Sequence, residues 1–156
     1  MVSSHDAMAA FDTHVLDITR IFDAPRALVF GAFVDAKQVL QWLGPRGFTM
    51  TYLDWDARPG GAWRGCMRAN DGRELWHGGV HREVTPERRL VFTFAFDLAD
   101  GRRGPETLVT ITFEDRGGKT LMRFHQSGFV TSGDAASYRA GWESEFDQLT
   151  RLLDRN

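Results

Sequence analysis

The sequence predicts an α+β domain. One antiparallel sheet of about seven strands carries a long C-terminal helix, and two short helices fall between the first and second strands. Three observations lead there. Asp134 to Leu153 is the longest helical pattern in the chain: Tyr138, Trp142, Phe146, Leu149 and Leu153 recur every three or four residues and share one stripe. From Phe48 to Ser127, runs with strand-like alternation are separated by short turn signals, the pattern of an antiparallel meander. Ahead of them, a helical pattern opens at Pro25 and breaks at Gly44-Pro45.

In chain order, His14 to Phe22 reads as the first strand, stopped by Asp23-Ala24-Pro25. Pro25 suits the first turn of a helix, where its missing N–H is not needed. Leu28, Val29, Phe33 and Val34 continue at helical spacing, and a second short helix follows from Ala36 to Leu43. The later strands are Phe48–Asp56, Ala62–Arg68, Glu74–Val84, Leu90–Asp97, Thr107–Asp115 and Thr120–Ser127. Arg58-Pro59-Gly60-Gly61, Asn70-Asp71-Gly72, Thr85-Pro86-Glu87, Leu98–Pro105 and Arg116-Gly117-Gly118 join them.

Several strands have one apolar parity. Leu90, Phe92, Phe94 and Phe96 share a face, as do Val109, Ile111 and Phe113. Trp63 and Met67 oppose Arg64, Cys66 and Arg68, and Met122 and Phe124 oppose Arg123 and His125. Such a sheet has one wet side, and the C-terminal helix belongs on the dry one. Two strands stay ambiguous: Trp55 opposes Tyr52, and Trp76 with Val80 opposes His77 with His81. In the long helix, Ser132 or Asp134 is the expected cap. Gly141 costs about 1 kcal/mol against Ala there. Either another backbone comes close or Trp142 needs the room.

The chain has 156 residues, enough for one domain with a real core. Residues 1–12 have neither a charged n-region nor an apolar h-region and are expected to be a mobile leader, leaving 13–156 as the domain. A net charge of −2 gives no reason to expect nucleic acid or an anionic membrane. No apolar run nears the ~18 residues of a membrane span. The single cysteine, Cys66, excludes an intramolecular disulfide and suits a reducing compartment, so a cytoplasmic location is expected. On parity Cys66 faces solvent or a partner.

Chemistry-bearing motifs are sparse. His77 and His81 are four apart in a strand, ~13 Å by the rise per residue, too far to share an ion. No Cys or carboxylate cluster completes a ligand set, so no metal is expected. There is no Gly-x-Ser-x-Gly elbow. Gly60-Gly61, Gly78-Gly79 and Gly117-Gly118 read as turns and bulges, not a phosphate cradle. Glu83 in the fourth strand and Glu143 or Glu145 in the helix could enter a cavity as acid or base. A salt bridge to Arg82, Arg123 or Arg139 is the simpler reading.

Three stretches carry a family likeness: Asp56-Ala-Arg-Pro-Gly-Gly-Ala-Trp63, Gly79-Val-His-Arg-Glu-Val-Thr-Pro-Glu-Arg-Arg-Leu-Val-Phe92, and Gly141-Trp142. Thr19-Arg-Ile-Phe-Asp-Ala-Pro25 and Trp42-Leu-Gly-Pro45 add to it. Together they resemble the heat-shock-protein-90 ATPase activator-like branch of the SRPBCC superfamily, over roughly Val15 to Leu153. The resemblance implies the helix-grip (START-like) fold, in which a curved sheet wraps the long helix and leaves a cavity. The fold hosts carriers, cyclases and co-chaperone domains, so it does not settle function. The eukaryotic co-chaperone has a further N-terminal domain for which this chain has no room, which counts against a chaperone partner.

Five Trp and twelve Phe suit a plain core and an aromatic-lined cavity about equally, and it is the family resemblance that points to the cavity. The expected role is binding a small hydrophobic molecule without a cofactor. The candidate lining is Trp42, Trp63, Met67, Trp76, His81, Phe94, Phe96, Ile111, Phe124, Tyr138, Trp142 and Phe146. Trp142 is expected to face Trp63 and Phe94–Phe96 across a void. The alternatives are a cyclase or dehydratase using Glu83, His81 or Tyr52, and a chaperone-interacting module. A homodimer stays open.

Overall fold

In the computed structural model, which describes residues 14–155, the chain runs β1 (Val15–Phe22), α1 (Arg26–Val34), α2 (Ala36–Trp42), β2 (Phe48–Trp55), β3 (Ala62–Ala69), β4 (Glu74–Thr85), β5 (Arg89–Phe96), β6 (Thr107–Arg116), β7 (Lys119–Ser127) and α3 (Ser132–Asp154). The expected leader lies outside the described residues. The sheet order is β1-β7-β6-β5-β4-β3-β2, and every neighbouring pair is antiparallel. Strands β2 to β7 form the expected meander. β1 closes against the last strand, with Val15 opposite Ser127 and Phe22 opposite Thr120. The two short helices carry the chain from one edge of the sheet to the other. No described helix is long and apolar enough to cross a membrane.

The α3 stripe of Trp142, Phe146, Leu149 and Leu153 is buried, as its spacing requires. Along one flank α3 is tied to β1. The Arg20 guanidinium donates to Asp147 Oδ1 at 2.9 Å and to Glu143 Oε2 at 2.9 Å, spanning one helical turn. The Phe146 ring lies 5.8 Å beneath the same guanidinium. The cap differs from expectation. Thr131, in extended backbone, is the N-cap, and its Oγ1 accepts from Asp134 N–H at 3.0 Å. Asp134 instead sits in the first turn, where its charge suits the positive end of the helix.

Both ambiguous strands have a local cause. In β2 the register shifts between Met50 and Tyr52. Met50 packs inward before the bulge, and Leu53 and Trp55 pack inward after it, while Tyr52 turns out with 47% of its surface exposed. In β4, His77 and His81 are the buried parity, and Trp76 lies on the outer face, 37% exposed. On the inner face β3 leaves a gap: His77 pairs with Gly65, where a Cβ would come within 2.8 Å of the imidazole Cε1. The small glycine makes room for the ring.

Cys66 also departs from expectation. It is on the outer face but only 1% exposed. Its cross-strand neighbours, Tyr52 and Trp76, bring their rings to 5.7 Å and close over it. The Arg64 guanidinium stacks 5.2 Å from the Trp76 ring while paired with Asp97.

Removing the cap should be measurable. Thr131→Ala is expected to lower stability by about 1 kcal/mol, and Thr131→Ser to stay close to the parent. Urea denaturation of the three proteins checks this; an unchanged midpoint in Thr131→Ala would show that the hydroxyl carries no weight.

Candidate functional site

Helix and sheet do not meet everywhere. Between the first half of α3 and strands β3 to β5 lies a half-open cavity of about 230 Å³. Met67 of β3, His77 of β4, and Phe94 and Phe96 of β5 form one wall. Ser137, Tyr138, Gly141, Trp142 and Glu145 of α3 form the other. Leu43, Gly44 and Pro45 after α2, with Phe48 of β2, make the rim. Gly141 leaves part of this space. A Cβ there would find only side-chain atoms near it, Pro45 Cβ at 3.9 Å and Glu145 Oε1 at 4.0 Å. No backbone of another segment comes close, so that explanation of the glycine fails.

The candidate lining divides accordingly. Met67, Phe94, Phe96, Tyr138 and Trp142 line the cavity. Trp42, Trp63 and Ile111 surround only a deeper gap of about 10 Å³. Phe124 and Phe146 are packed against Trp142, with ring centroids 4.7 and 5.7 Å away. His81 sits edge-on to Trp55 at 4.5 Å, with Nδ1 3.2 Å from Gly61 O, away from the cavity. Trp76 is on the opposite face of the sheet, so its expected place in the lining is corrected. The void expected between Trp142 and the β5 phenylalanines is partly closed, since Trp142 and Phe94 meet at 5.9 Å. Trp63 packs against Phe94, the tilted rings 5.2 Å apart.

Trp142 is held by a buried hydrogen-bonded chain. Its Nε1–H donates to Gln126 Oε1 at 2.8 Å, Gln126 Nε2 donates to Thr107 Oγ1 at 2.8 Å, and the threonine hydroxyl donates to Phe94 O at 2.7 Å. The other buried indoles are also satisfied: Trp42 donates to Ala32 O and Trp63 to Thr93 O.

The rim is fastened to α3 by three side chains. Glu145 Oε2 accepts from Gly44 N–H at 2.8 Å, Ser144 Oγ accepts from Arg46 N–H at 2.7 Å, and Gln148 Nε2 donates to Gly44 O at 2.7 Å. Of the carboxylates weighed for a cavity role, Glu143 pairs with Arg20, and Glu83 pairs with Arg89 and Thr85. Glu145 alone of these lines the cavity.

Burial governs the charge state of the site. It pushes the Glu145 carboxyl up to about 8, against the pull of the Gly44 N–H, so the group is protonated at neutral pH. Oε2 is engaged as acceptor, which leaves the proton to Oε1, the oxygen nearer Gly141. Burial, assisted by the Arg64 charge, lowers His77 to about 4 and keeps its imidazole neutral. Among the described residues the His77 imidazole makes no hydrogen bond, and its Nδ1 is buried without a partner. Burial and then the Asp134 charge raise the Tyr138 hydroxyl, which stays a phenol. The lining thus carries no formal charge at neutral pH.

His77, Ser137, Gly141, Phe48 and the Leu43–Pro45 rim were missing from the candidate lining. Glu145 was also missing from it, having been weighed only as one of two helix glutamates that could enter a cavity; the structure places it in the lining. Among the described residues, no group of three or more His, Cys, Asp or Glu is placed to hold a metal ion.

No curated protein matches the chain. Solved structures do. A protein from Chromobacterium violaceum is 28% identical, with 90% of this chain and 96% of that one covered and a TM-score of 0.82. One from Silicibacter pomeroyi is 25% identical, over 90% and 97%, with a TM-score of 0.84. One from Rhizobium leguminosarum is 27% identical, over 91% and 95%, with a TM-score of 0.79. The family model described as Activator of Hsp90 ATPase homolog 1-like protein matches residues 23–154. With that match over most of its length, on a sheet that grips its C-terminal helix, the chain belongs to the Activator of Hsp90 ATPase homolog 1-like family of the SRPBCC superfamily.

Proposed function

We propose that this protein binds a small hydrophobic or aromatic molecule between α3 and strands β3 to β5. The observation that carries the reading is the half-open cavity of about 230 Å³, walled by Phe94, Phe96, Tyr138 and Trp142. An apolar protein cavity of about 150 Å³ accepts benzene, so simple proportion allows roughly nine non-hydrogen atoms here. Aromatic walls with a few polar groups are what such sites offer a guest. Native mass spectrometry of freshly purified protein, followed by tryptophan-fluorescence titration with aromatic probes, tests it. A cavity that takes up none of them would remove the proposal.

A second reading, an enzyme moving protons in the same cavity, is favoured by one observation: the Glu145 carboxyl and the His77 imidazole both line it. Tyr52, Glu83 and His81 lie elsewhere and do not enter this version. Turnover of an enolisable ketone that disappears in Glu145→Gln would support it.

Two variants probe the site further. Gly141→Ala replaces a poor helix former where a methyl fits, so it should raise stability by about 0.5–1 kcal/mol. The same methyl projects toward the cavity and should weaken guest binding several-fold. Stability and affinity moving in opposite directions is the expected signature, read from denaturation and titration of one preparation.

The second variant is Glu145→Gln. In the folded chain Glu145 keeps its proton to about 8, whereas the unfolded side chain loses it near 4.5. The raised folded value means that stability is fullest below the unfolded value. It is lost as pH rises toward 8, at about 1.4 kcal/mol per pH unit. Glutamine has no proton to lose and can still accept from Gly44 N–H. Glu145→Gln is therefore expected to match the parent near pH 4.5 and exceed it increasingly up to pH 8. Parallel pH-dependent denaturation curves would count against the buried acid.

A further inference from the structure

We infer that the guest is an uncharged aromatic bearing a hydroxyl or keto oxygen, which hydrogen-bonds to the Glu145 carboxyl and the His77 imidazole. The inference rests on the reading of this cavity as a binding site, and it adds what kind of molecule the site selects. The starting point is an unmet need. His77 is only 2% exposed and lines the cavity wall, and among the described residues its imidazole has no hydrogen-bond partner; Nδ1 is buried against Gly65, which leaves Nε2 as the nitrogen a guest can reach. Buried polar groups are rarely left so, because an unmade hydrogen bond keeps the full cost of desolvation. Across the cavity, Glu145 uses Oε2 for Gly44 N–H, and Oε1 lies toward the space beside Gly141. The site thus offers polar capacity on both walls within an otherwise apolar lining.

Charge complementarity decides against an anion. The titratable groups that face the cavity are His77, Tyr138 and Glu145, all uncharged near neutrality. Met67 of β3, Phe94 and Phe96 of β5, and Leu43, Gly44 and Pro45 at the rim add no charge. Arg64 is committed to Asp97 and Trp76 on the outer face, and Arg20 to Glu143 and Asp147 on the far flank of α3. A carboxylate guest would be desolvated among lining residues that include no cation, since Arg46 of the rim loop is exposed and does not line the cavity. A cationic guest would also have to be desolvated, and it would first have to displace the proton that Glu145 holds in the empty site.

Three probes of equal size, about nine non-hydrogen atoms each, separate the terms: 4-ethylphenol, 4-ethyltoluene and benzoate, titrated against the full chain at pH 6.5 by calorimetry. The phenol is expected to bind about tenfold more tightly than the toluene, the worth of one or two modest hydrogen bonds. The benzoate is expected to bind at least tenfold more weakly than the phenol. His77→Leu should cut the phenol's advantage over the toluene to about threefold, the share left to Glu145, and leave the toluene's own affinity close to that of the parent. If that variant does not fold, His77→Phe gives the same readout, and the ranking on the parent protein decides by itself. Equal binding of phenol and toluene overturns the polar pairing and leaves an apolar binder. Tightest binding of the benzoate overturns the requirement for a neutral guest. Binding of none of the three overturns the inference together with the reading beneath it.

Discussion

The buried chain from Trp142 through Gln126 and Thr107 to Phe94 O is the constraint on which the rest of the molecule depends. Helix packing on a sheet is driven by apolar area, which has no direction of its own. These bonds supply direction. They join α3 to β7, β6 and β5, and they set the rotation of α3 about its axis. Because the whole chain lies in low dielectric, breaking one link strands two polar groups. With Trp142 fixed, Tyr138 and Glu145 can only project where they do, toward the rim and β5.

A helix fixed at that rotation cannot also fill the space above β3 and β4. The rim loop takes up part of the gap because Ser144, Glu145 and Gln148 hold Gly44 and Arg46 against α3. Gly141 leaves the remainder open. The same carboxyl that fastens the rim presents its other oxygen to the cavity, so fastening and recognition are two uses of one side chain. Nearby, Gly65 makes room for an imidazole at a place where the strand pattern would suit a larger apolar residue. Polar atoms were thus placed in the wall at some cost to packing, which is more readily understood for a site than for a core.

Much of the fold was legible because its signals are local. Turn residues separated the strands of the meander, and the apolar stripe of α3 announced both its length and its buried face. What escaped depends on partners distant in sequence. Trp76 outranks His77 in hydrophobicity, yet the space left by Gly65 puts the histidine inside. The bulge after Met50 allows both parities of β2 to contribute to the core, a possibility that strict alternation excludes. Thr131 takes the cap from Ser132 and Asp134 because backbone geometry, not residue type, aims the hydroxyl. Cys66 had the parity of an exposed residue and is covered by two rings from neighbouring strands. The cavity was legible only in part, since a void is an absence of atoms. Its traces in the sequence were Gly141 inside a helix, where it costs stability, and the choice of Glu143 or Glu145 as a carboxylate that could enter a cavity.

The pairing of β1 with β7 has a consequence for how the chain comes to be folded. Val15–Phe22 leaves the ribosome early, and its hydrogen-bonding partner is the strand made last, Lys119–Ser127. At about 5–20 residues per second, that edge waits on the order of ten seconds for its neighbour. Over that interval Leu16, Ile18 and Phe22 have no sheet to enter, and an open strand edge invites pairing with other chains. Ring closure across nearly the whole domain is an entropically slow step. The nascent protein therefore passes through a period of vulnerability that the finished fold, with Arg20 of β1 bound to α3, no longer betrays.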